Sequence, residues 1–142
     1  MTFKAEPFPF ISVSGSPRER GRQYGAAAAA RVARSAALYT GQLSRMGLDG
    51  DRITALVGRV LPRIEAFGAH YVEEMRGIAE GAGVPFQDVV MINARTEVIS
   101  MAELETAADE PDGCTGVVIL PERSASGRLI HGQNWDWKAE CY

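Results

Sequence analysis

The architecture of this chain follows from the stretch DGCTGVVILPERSASGRLIHGQNWDW, residues 112–137. It contains two runs of strand-forming residues, CTGVVILP and RLIHGQNWDW, which are separated by the polar sequence ERSASG. Two such runs with a turn-rich connection predict an antiparallel β-hairpin with a long loop. A polar, acidic stretch, ELETAADEPDG, precedes the first run and places Cys114 where this loop meets the strand.

The residues before the hairpin predict three helical segments. Ser16 is a candidate N-cap and Pro17 a candidate first helical residue, and apolar residues then recur every three or four positions. The first segment has Val32, Ala36, Tyr39, Leu43 and Met46 on its stripe. The second has Ile53, Leu56, Val60, Ile64, Phe67, Tyr71, Met75 and Ile78, with Pro62 expected to kink or divide it. The third, 86–101, has Val89, Ile92, Thr96 and Ile99.

The segments at the two ends of the sequence predict further features of the fold. The opening FPFISVSGS alternates Phe8, Phe10 and Val13 and predicts a short strand. The second strand of the hairpin is followed only by KAECY, although a two-stranded hairpin is marginally stable alone. We therefore expect an α+β fold and an amino-terminal fragment of a longer protein, with residues 1–113 mainly helical and 114–142 beginning a sheet.

Composition narrows the class of protein. The chain has 142 residues, is 46% hydrophobic and carries a net charge of −3, which is typical of one soluble globular domain. Neither a signal peptide nor an apolar run of about 20 residues is visible, so the sequence predicts a cytoplasmic protein without a membrane partner.

Charge is unevenly distributed along the chain. Residues 1–63 hold ten Arg and Lys against four Asp and Glu, while residues 64–142 hold five against fourteen, so that +6 and −9 give −3. The basic half is helical in pattern and has few aromatic residues, which favours a solvated helix face over a nucleic-acid surface. We expect no nucleic-acid partner.

Cys114 is the candidate nucleophile. Two cysteines are too few for a disulfide framework, and no CxxC or HxxxH spacing indicates a metal site. A thiol needs a base to become a nucleophile. Of the two histidines, His70 falls within a predicted helix and His131 within the second predicted strand. Neither forms a convincing Cys-His-Asp order with Cys114. A small buried cysteine at a strand start is the structural alternative.

Cleavage of the Gly113–Cys114 bond would give Cys114 a free α-amino group, which could serve as the base for its own thiol. A free α-amino group has a pKa of about 7.7 to 8.0, so it can accept a proton near neutral pH. The thiol could make the cut itself by attacking the Gly113 carbonyl, which glycine leaves unobstructed. Asp-Gly is also a strong turn signal, although its upstream flank lacks the alternation of a strand.

The whole pattern resembles the acyl-coenzyme A:6-aminopenicillanic acid acyltransferase family of N-terminal nucleophile hydrolases. The segment 112–137 contains the Gly-Cys-Thr junction and GQNWD element of that family, and RERGRQYG, GIAEGAGV and NARTE occur upstream in the same order. Bile-salt hydrolases and acid ceramidases look similar but have arginine at the position of Gln133. The resemblance therefore favours the penicillin-type acyltransferase branch.

The resemblance implies a fold and a set of site residues. The hairpin would be the first of an αββα sandwich, truncated here, with residues 1–113 as the pro-segment that becomes the small subunit. Cys114 would be the nucleophile, Gly113 the other side of the cleaved bond, and Asp136 the carboxylate that supports the new α-amino group. Supporting candidates are Thr115, Gln133, Asn134 and Arg95.

The same resemblance implies a self-processing acyltransferase or amide hydrolase. It would act through a thioester on small-molecule acyl donors and amine acceptors, with the remainder of its own chain as the large catalytic subunit. Acyl-CoA is a candidate co-substrate, and neither a metal nor a prosthetic group is implied. The alternative is a catalytically silent fragment that serves only as a helical binding module.

Overall fold

The computed structural model describes residues 9–106 and 114–134 of the chain. The chain divides into two compact units, Met1–Ala108 and Asp109–Tyr142. The first unit contains helices and the second a hairpin, so the described residues are mostly helical with one small antiparallel sheet. This is the α+β composition that the sequence predicts. Within the described residues, no helix combines the length and the apolar character needed to cross a membrane.

The elements follow one another in a simple order. The described part of the first unit contains α1 (Pro17–Ala27), α2 (Ala29–Arg45), α3 (Gly50–Phe67), α4 (Ala69–Ala82), α5 (Phe86–Asn93) and α6 (Arg95–Thr106). The described part of the second unit contains β1 (Thr115–Ile119), a 3₁₀ turn (Pro121–Arg123) and β2 (Ile130–Asn134).

The start of α1 confirms the predicted cap. Ser16 Oγ accepts a hydrogen bond from the backbone N–H of Glu19 at 3.4 Å, and the Glu19 carboxylate accepts one from the backbone N–H of Ser16 at 2.9 Å. This reciprocal capping box satisfies two backbone donors that the first turn leaves without helical partners. Pro17 occupies the first helical position, where its missing N–H costs nothing.

The strand predicted at the amino terminus is wrong for the residues that the structure describes. Residues 9–14 form no strand, and Phe8 lies outside the described residues. The side chain of Gln23 in α1 pairs with Ser14 instead, since its Nε2 donates to the Ser14 carbonyl at 2.8 Å and its Oε1 accepts from the Ser14 N–H at 3.2 Å. These polar groups are therefore satisfied by a helix side chain rather than by a neighbouring strand.

Each predicted helical segment is two helices in the structure. The breaks fall at Ala28 (φ −113°, ψ 17°), at Gly68, and at Ala94 (φ −106°, ψ 26°). The predicted division at Pro62 is wrong, because α3 continues through that proline and ends at Phe67. Since Gly68 adopts extended rather than helical dihedrals (φ 177°, ψ 110°), the second segment divides there.

The core of the first unit is apolar and follows most of the predicted stripes. The buried side chains on the helices include Val32, Ala36, Tyr39, Leu43, Ile53, Leu56, Val57, Val60, Val72, Met75, Ala79, Val89, Val90, Met91, Val98, Ile99 and Ala102. The breaks change the phase of the stripes. Phe67 and Tyr71 flank Gly68 and are 81% and 46% exposed, and Thr96, which follows Ala94, is also exposed.

Helices α1 and α4 touch through glycines and run parallel. Gly21 lies against the backbone of Glu74 and Ile78, and Gly25 lies one turn further along both helices, against Ile78 and Ala82. A Cβ atom built on either glycine would lie far inside van der Waals distance of an α4 carbonyl oxygen. Only glycine permits backbones to approach this closely.

The glycines of α4 make the reciprocal contact. A Cβ on Gly77 would overlap the Arg18 carbonyl, and a Cβ on Gly81 would overlap the Arg22 carbonyl. GRQYG and GIAEG, each with glycines four residues apart, are thus the two halves of one interface. The stretch RERGRQYG is therefore a helix start whose glycines permit close packing.

Ion pairs flank the glycine contact and explain part of the charge asymmetry. Arg18 pairs with Glu80 and, at 3.1 Å, with Glu73, while Arg20 pairs with Glu74 at 2.6 Å. A similar set joins α3 to α6, where Glu105 accepts from Arg52 at 3.0 Å and lies 3.5 Å from Arg59. Cations of the basic half therefore meet anions of the acidic half within the helical unit.

The Glu80 pair predicts a pH dependence. Its hydrogen bond with Arg18 and the nearby charge of Arg22 lower the pKa of the Glu80 carboxyl below its ordinary value of 4.5. A lowered folded-state pKa adds stability above pH 4.5, and this contribution is lost as the pH falls through the folded value.

We expect the urea midpoint to fall less between pH 5 and 3 in Glu80→Gln than in the original chain. Urea denaturation at several pH values, followed by far-ultraviolet circular dichroism, measures the difference. Glu65→Gln, on the exposed surface of α3, is the control. The same pH profile in Glu80→Gln as in the original chain would contradict this expectation. The contribution is small, since the pair is exposed.

The hairpin confirms the two predicted strands and the long loop between them. β1 and β2 are antiparallel, and the register pairs Thr115 with Asn134, Gly116 with Gln133, Val117 with Gly132, Val118 with His131 and Ile119 with Ile130. The connection turns through the 3₁₀ turn and Gly127, whose positive φ of 64° suits a residue without a side chain.

Candidate active site

Cys114 lies at the place that the sequence predicts. It directly precedes β1, its side chain is exposed, and its thiol is free. Cys114 is therefore not buried in the described structure. An exposed thiol next to the first rung of a strand ladder has a fixed backbone on one side and open access on the other, which is an arrangement suited to a nucleophile.

The strand register sorts the supporting candidates between two faces. Paired residues of an antiparallel ladder share a face, and neighbours along a strand alternate. Thr115 and Asn134 therefore lie on one face, whereas Gly116 and Gln133 lie on the other. Cys114 immediately precedes Thr115, so the alternation of β1, continued by one residue, would put its side chain on the face of Gln133.

His131 is too far along the hairpin to act on this thiol. It pairs with Val118, four residues beyond Cys114, which corresponds to about 13 Å at the spacing of a β-strand. The nearer end of β2, Gln133 and Asn134, contains amides and no titratable group. The hairpin as described thus brings no side-chain base to Cys114.

Two of the predicted site residues are not described. Gly113 and Asp136 lie outside the described residues, so their roles as the cleavage partner and as the supporting carboxylate stay predictions. Within residues 9–106 and 114–134, no three His, Cys, Asp or Glu side chains are grouped as a metal site.

Arg95 contributes to the helical unit. Its guanidinium lies 5.9 Å from the centroid of the Tyr39 ring, a cation–π contact between α6 and α2. Tyr39 is only 5% exposed, so Arg95 braces the interior of this unit. Asn93 and Glu97 line a groove that Arg95 does not line. Asn93 and Glu97 therefore share a face, and Arg95 lies off it.

The groove is a feature that the sequence did not reveal. It has a volume of about 970 Å³ and lies among α3, α4, α5 and α6, and its lining includes Arg59, Arg63, Phe67, Tyr71, Glu74, Met75, Asn93, Glu97 and Met101. The rings of Phe67 and Tyr71 stack at 5.6 Å. Both rings sit on the predicted apolar stripe and flank the break at Gly68, so periodicity alone predicts them in the core rather than in a groove. Among the described residues, no cysteine, serine or histidine lines it.

Comparison with known proteins finds a distantly similar acyltransferase. The chain is 29% identical over 129 residues to the 40 kDa form of acyl-coenzyme A:6-aminopenicillanic-acid acyltransferase from Emericella nidulans. The aligned part covers 89% of this chain but 33% of that protein, so the chain spans about a third of its relative's length. No protein-family profile matches the chain. The chain is thus a distant relative of an acyltransferase.

Proposed function

We propose that this chain is the amino-terminal part of a self-processing acyltransferase or amide hydrolase whose nucleophile is Cys114. The observation that carries the proposal is the position of a free, exposed cysteine directly before β1. The distant similarity to an acyltransferase supports it, because the aligned region covers most of this chain.

Cleavage would begin with the thiol of Cys114. The sulfur attacks the carbonyl carbon of Gly113, the peptide C–N bond breaks, and a thioester between Gly113 and Sγ forms while the α-amino group takes up a proton. Water then hydrolyses the thioester, which leaves a carboxylate on Gly113 and a free thiol on Cys114. The products are a helical segment, 1–113, and a chain that begins with Cys114.

Acyl transfer would use the same atoms. The α-amino group of Cys114 accepts the thiol proton, since its pKa of about 7.7 to 8.0 suits neutral pH. Sγ attacks the carbonyl of the acyl donor and the leaving thiol or amine takes the proton. An amine or water then attacks the acyl thioester and releases Sγ. The donor would be a small-molecule amide or an acyl-CoA.

Asp136 would support the α-amino group in both steps. The amino nitrogen is a backbone atom, so a carboxylate can reach it from either face of the strand. Asp136 is two residues from Asn134, and side chains two residues apart in a strand share a face. Asn134 lies on the face opposite Gln133, so Asp136 would share that face in a continued strand. An aspartate there would support the amine without blocking the thiol.

The surface of the hairpin supports a place in a larger, layered sheet. Its strands and loop expose Val117, Val118, Ile119, Leu120, Leu129 and Ile130, which are between 38% and 57% accessible. Val117 and Val118 are neighbours and therefore lie on opposite faces. Strands that are apolar on both faces are typical of sheets covered on both sides, as in the αββα sandwich proposed for the whole protein.

Mass spectrometry of the purified chain tests the proposal. The intact chain has a mass of 15.3 kDa, and cleavage would replace it by two fragments, one of which begins with Cys114. Incubation with a short-chain acyl thioester should then add one acyl group to that fragment. A chain that stays intact and unacylated, in the longest form that the gene encodes, would contradict the proposal. A non-cleaving helical binding module would then be the remaining function.

A further inference from the structure

Gln133 is the described polar side chain best placed to meet a substrate at Cys114. It pairs with Gly116 on β1, and Gly116 is two residues from Cys114. With the alternation of β1 continued to Cys114, Gln133 and Cys114 are therefore diagonal neighbours on one face. Diagonal neighbours lie about 7 to 8 Å apart, with their Cβ atoms somewhat closer, which is within reach of long side chains. The Gln133 amide can therefore extend toward the thiol.

The space between the two side chains is open. Gly116 has no side chain there, and the nearest atom to a Cβ built on it is the Gly132 carbonyl oxygen, at 4.0 Å. Gln133 itself is exposed. Its amide offers two N–H donors and a carbonyl acceptor. A group bound at the thiol can lie over Gly116 and meet this amide directly.

The described strands place no acidic side chain, lysine or arginine on this face. Besides the thiol and Gln133 the face presents Val118 and His131. The Gln133 amide, an uncharged donor and acceptor, is complementary to an amide group of a substrate. A substrate carboxylate, in contrast, is bound most strongly by a cation.

We propose that Gln133 is the residue that makes Cys114 prefer acyl donors with an amide, rather than a carboxylate, close to the scissile carbonyl. This inference rests on the proposed function. The amide could belong to the acyl group or to the leaving group, and Gln133 would hydrogen-bond to it in either case. Loss of one neutral hydrogen bond corresponds to a change of about two- to tenfold in preference.

Two pairs of thioesters distinguish an amide in the acyl group from an amide in the leaving group. The first pair, the succinamoyl and succinyl thioesters of ethanethiol, differs only by an amide or a carboxylate in the acyl group. The second, the butyryl thioesters of N-acetylcysteamine and 3-mercaptopropionate, differs in the leaving group. The measured quantity is the ratio of kcat/KM within each pair for the self-cleaved protein.

We expect the original protein to favour the amide member of at least one pair. Gln133→Ala should reduce that preference about two- to tenfold, and Gln133→Arg should reverse it, because guanidinium binds carboxylate in bidentate fashion. His131→Arg, which adds the same charge two residues further along the face, is the control and should leave the ratio unchanged. Gln133→Glu, of nearly the same shape, should strengthen the discrimination against carboxylates.

The outcomes separate the inference from the proposed function. Self-cleavage with turnover, but equal ratios in both pairs for the original protein, Gln133→Ala and Gln133→Arg, overturns the role of Gln133 alone. Absence of cleavage and acylation in the original protein overturns the proposed function and this inference with it. Retained self-cleavage in each variant shows that the variant is folded, so an altered ratio then reports on recognition.

Discussion

Replacement of Cys114 by alanine is expected to abolish both cleavage of the chain and acyl transfer. The side chain is exposed and free next to β1, so its removal should disturb no packing. The proposed mechanism, in contrast, has no other nucleophile, and loss of the nucleophile in acyl-transfer enzymes costs up to about 10⁶-fold in rate. Mass spectrometry measures the cleavage, and release of thiol from an acyl thioester measures the turnover.

Cys141 supplies the matched control for this substitution. It is the other cysteine of the chain and lies outside the described residues. Cys141→Ala should cleave and turn over like the original protein. Activity that survives in Cys114→Ala, or disappears in Cys141→Ala, would mean that the wrong thiol carries the proposed chemistry.

Replacement of Gly77 by alanine should destabilise the helical unit more than any surface substitution. The added methyl group would overlap the Arg18 carbonyl and crowd the Cα of Gly21, and these backbone atoms cannot rotate away as a side chain can. Overpacking of this kind costs about 1 to 3 kcal/mol and occasionally more. We expect about 3 kcal/mol or more from urea denaturation, with an unchanged slope.

Gly58 provides a control, because the same substitution there should raise the free energy of unfolding rather than lower it. It lies exposed in the interior of α3, and a Cβ built there meets nothing within 4 Å. Gly58→Ala should therefore stabilise the unit by about 0.5 to 1 kcal/mol through helix propensity. Equal effects of Gly58→Ala and Gly77→Ala would refute the close approach of α1 and α4.

Local signals predicted local structure well. The Ser16 cap depends on residues three positions apart, and the hairpin depends on two runs and their connection, so both can be found in a short stretch of sequence. The breaks at Ala28 and Ala94 could not, because alanine is the best helix former and gives no stop signal. Both alanines are buried, at 4% and 3% exposure, and periodicity along one helix does not report which small residues are packed against other helices.

The candidate site also combines a feature that a short stretch of sequence predicts with one that it does not. Its nucleophile is recognisable because DGCTG is a contiguous motif, but the face that Cys114 shares with Gln133 depends on the strand register. A shift of one residue would place Asn134 there instead. The glycine interface did leave a signal, since GRQYG and GIAEG repeat one spacing, although nothing in either shows that they meet.

The parallel direction of α1 and α4 has a consequence for the order of folding. Parallel helices cannot be joined by a short turn, so α2 and α3 lie between them, and their ion pairs join residues 54 to 62 positions apart. Contacts of such long sequence separation require a large loop to close before they give any stabilisation. During synthesis from the amino terminus, α1 therefore emerges first but docks only after α4 has left the ribosome.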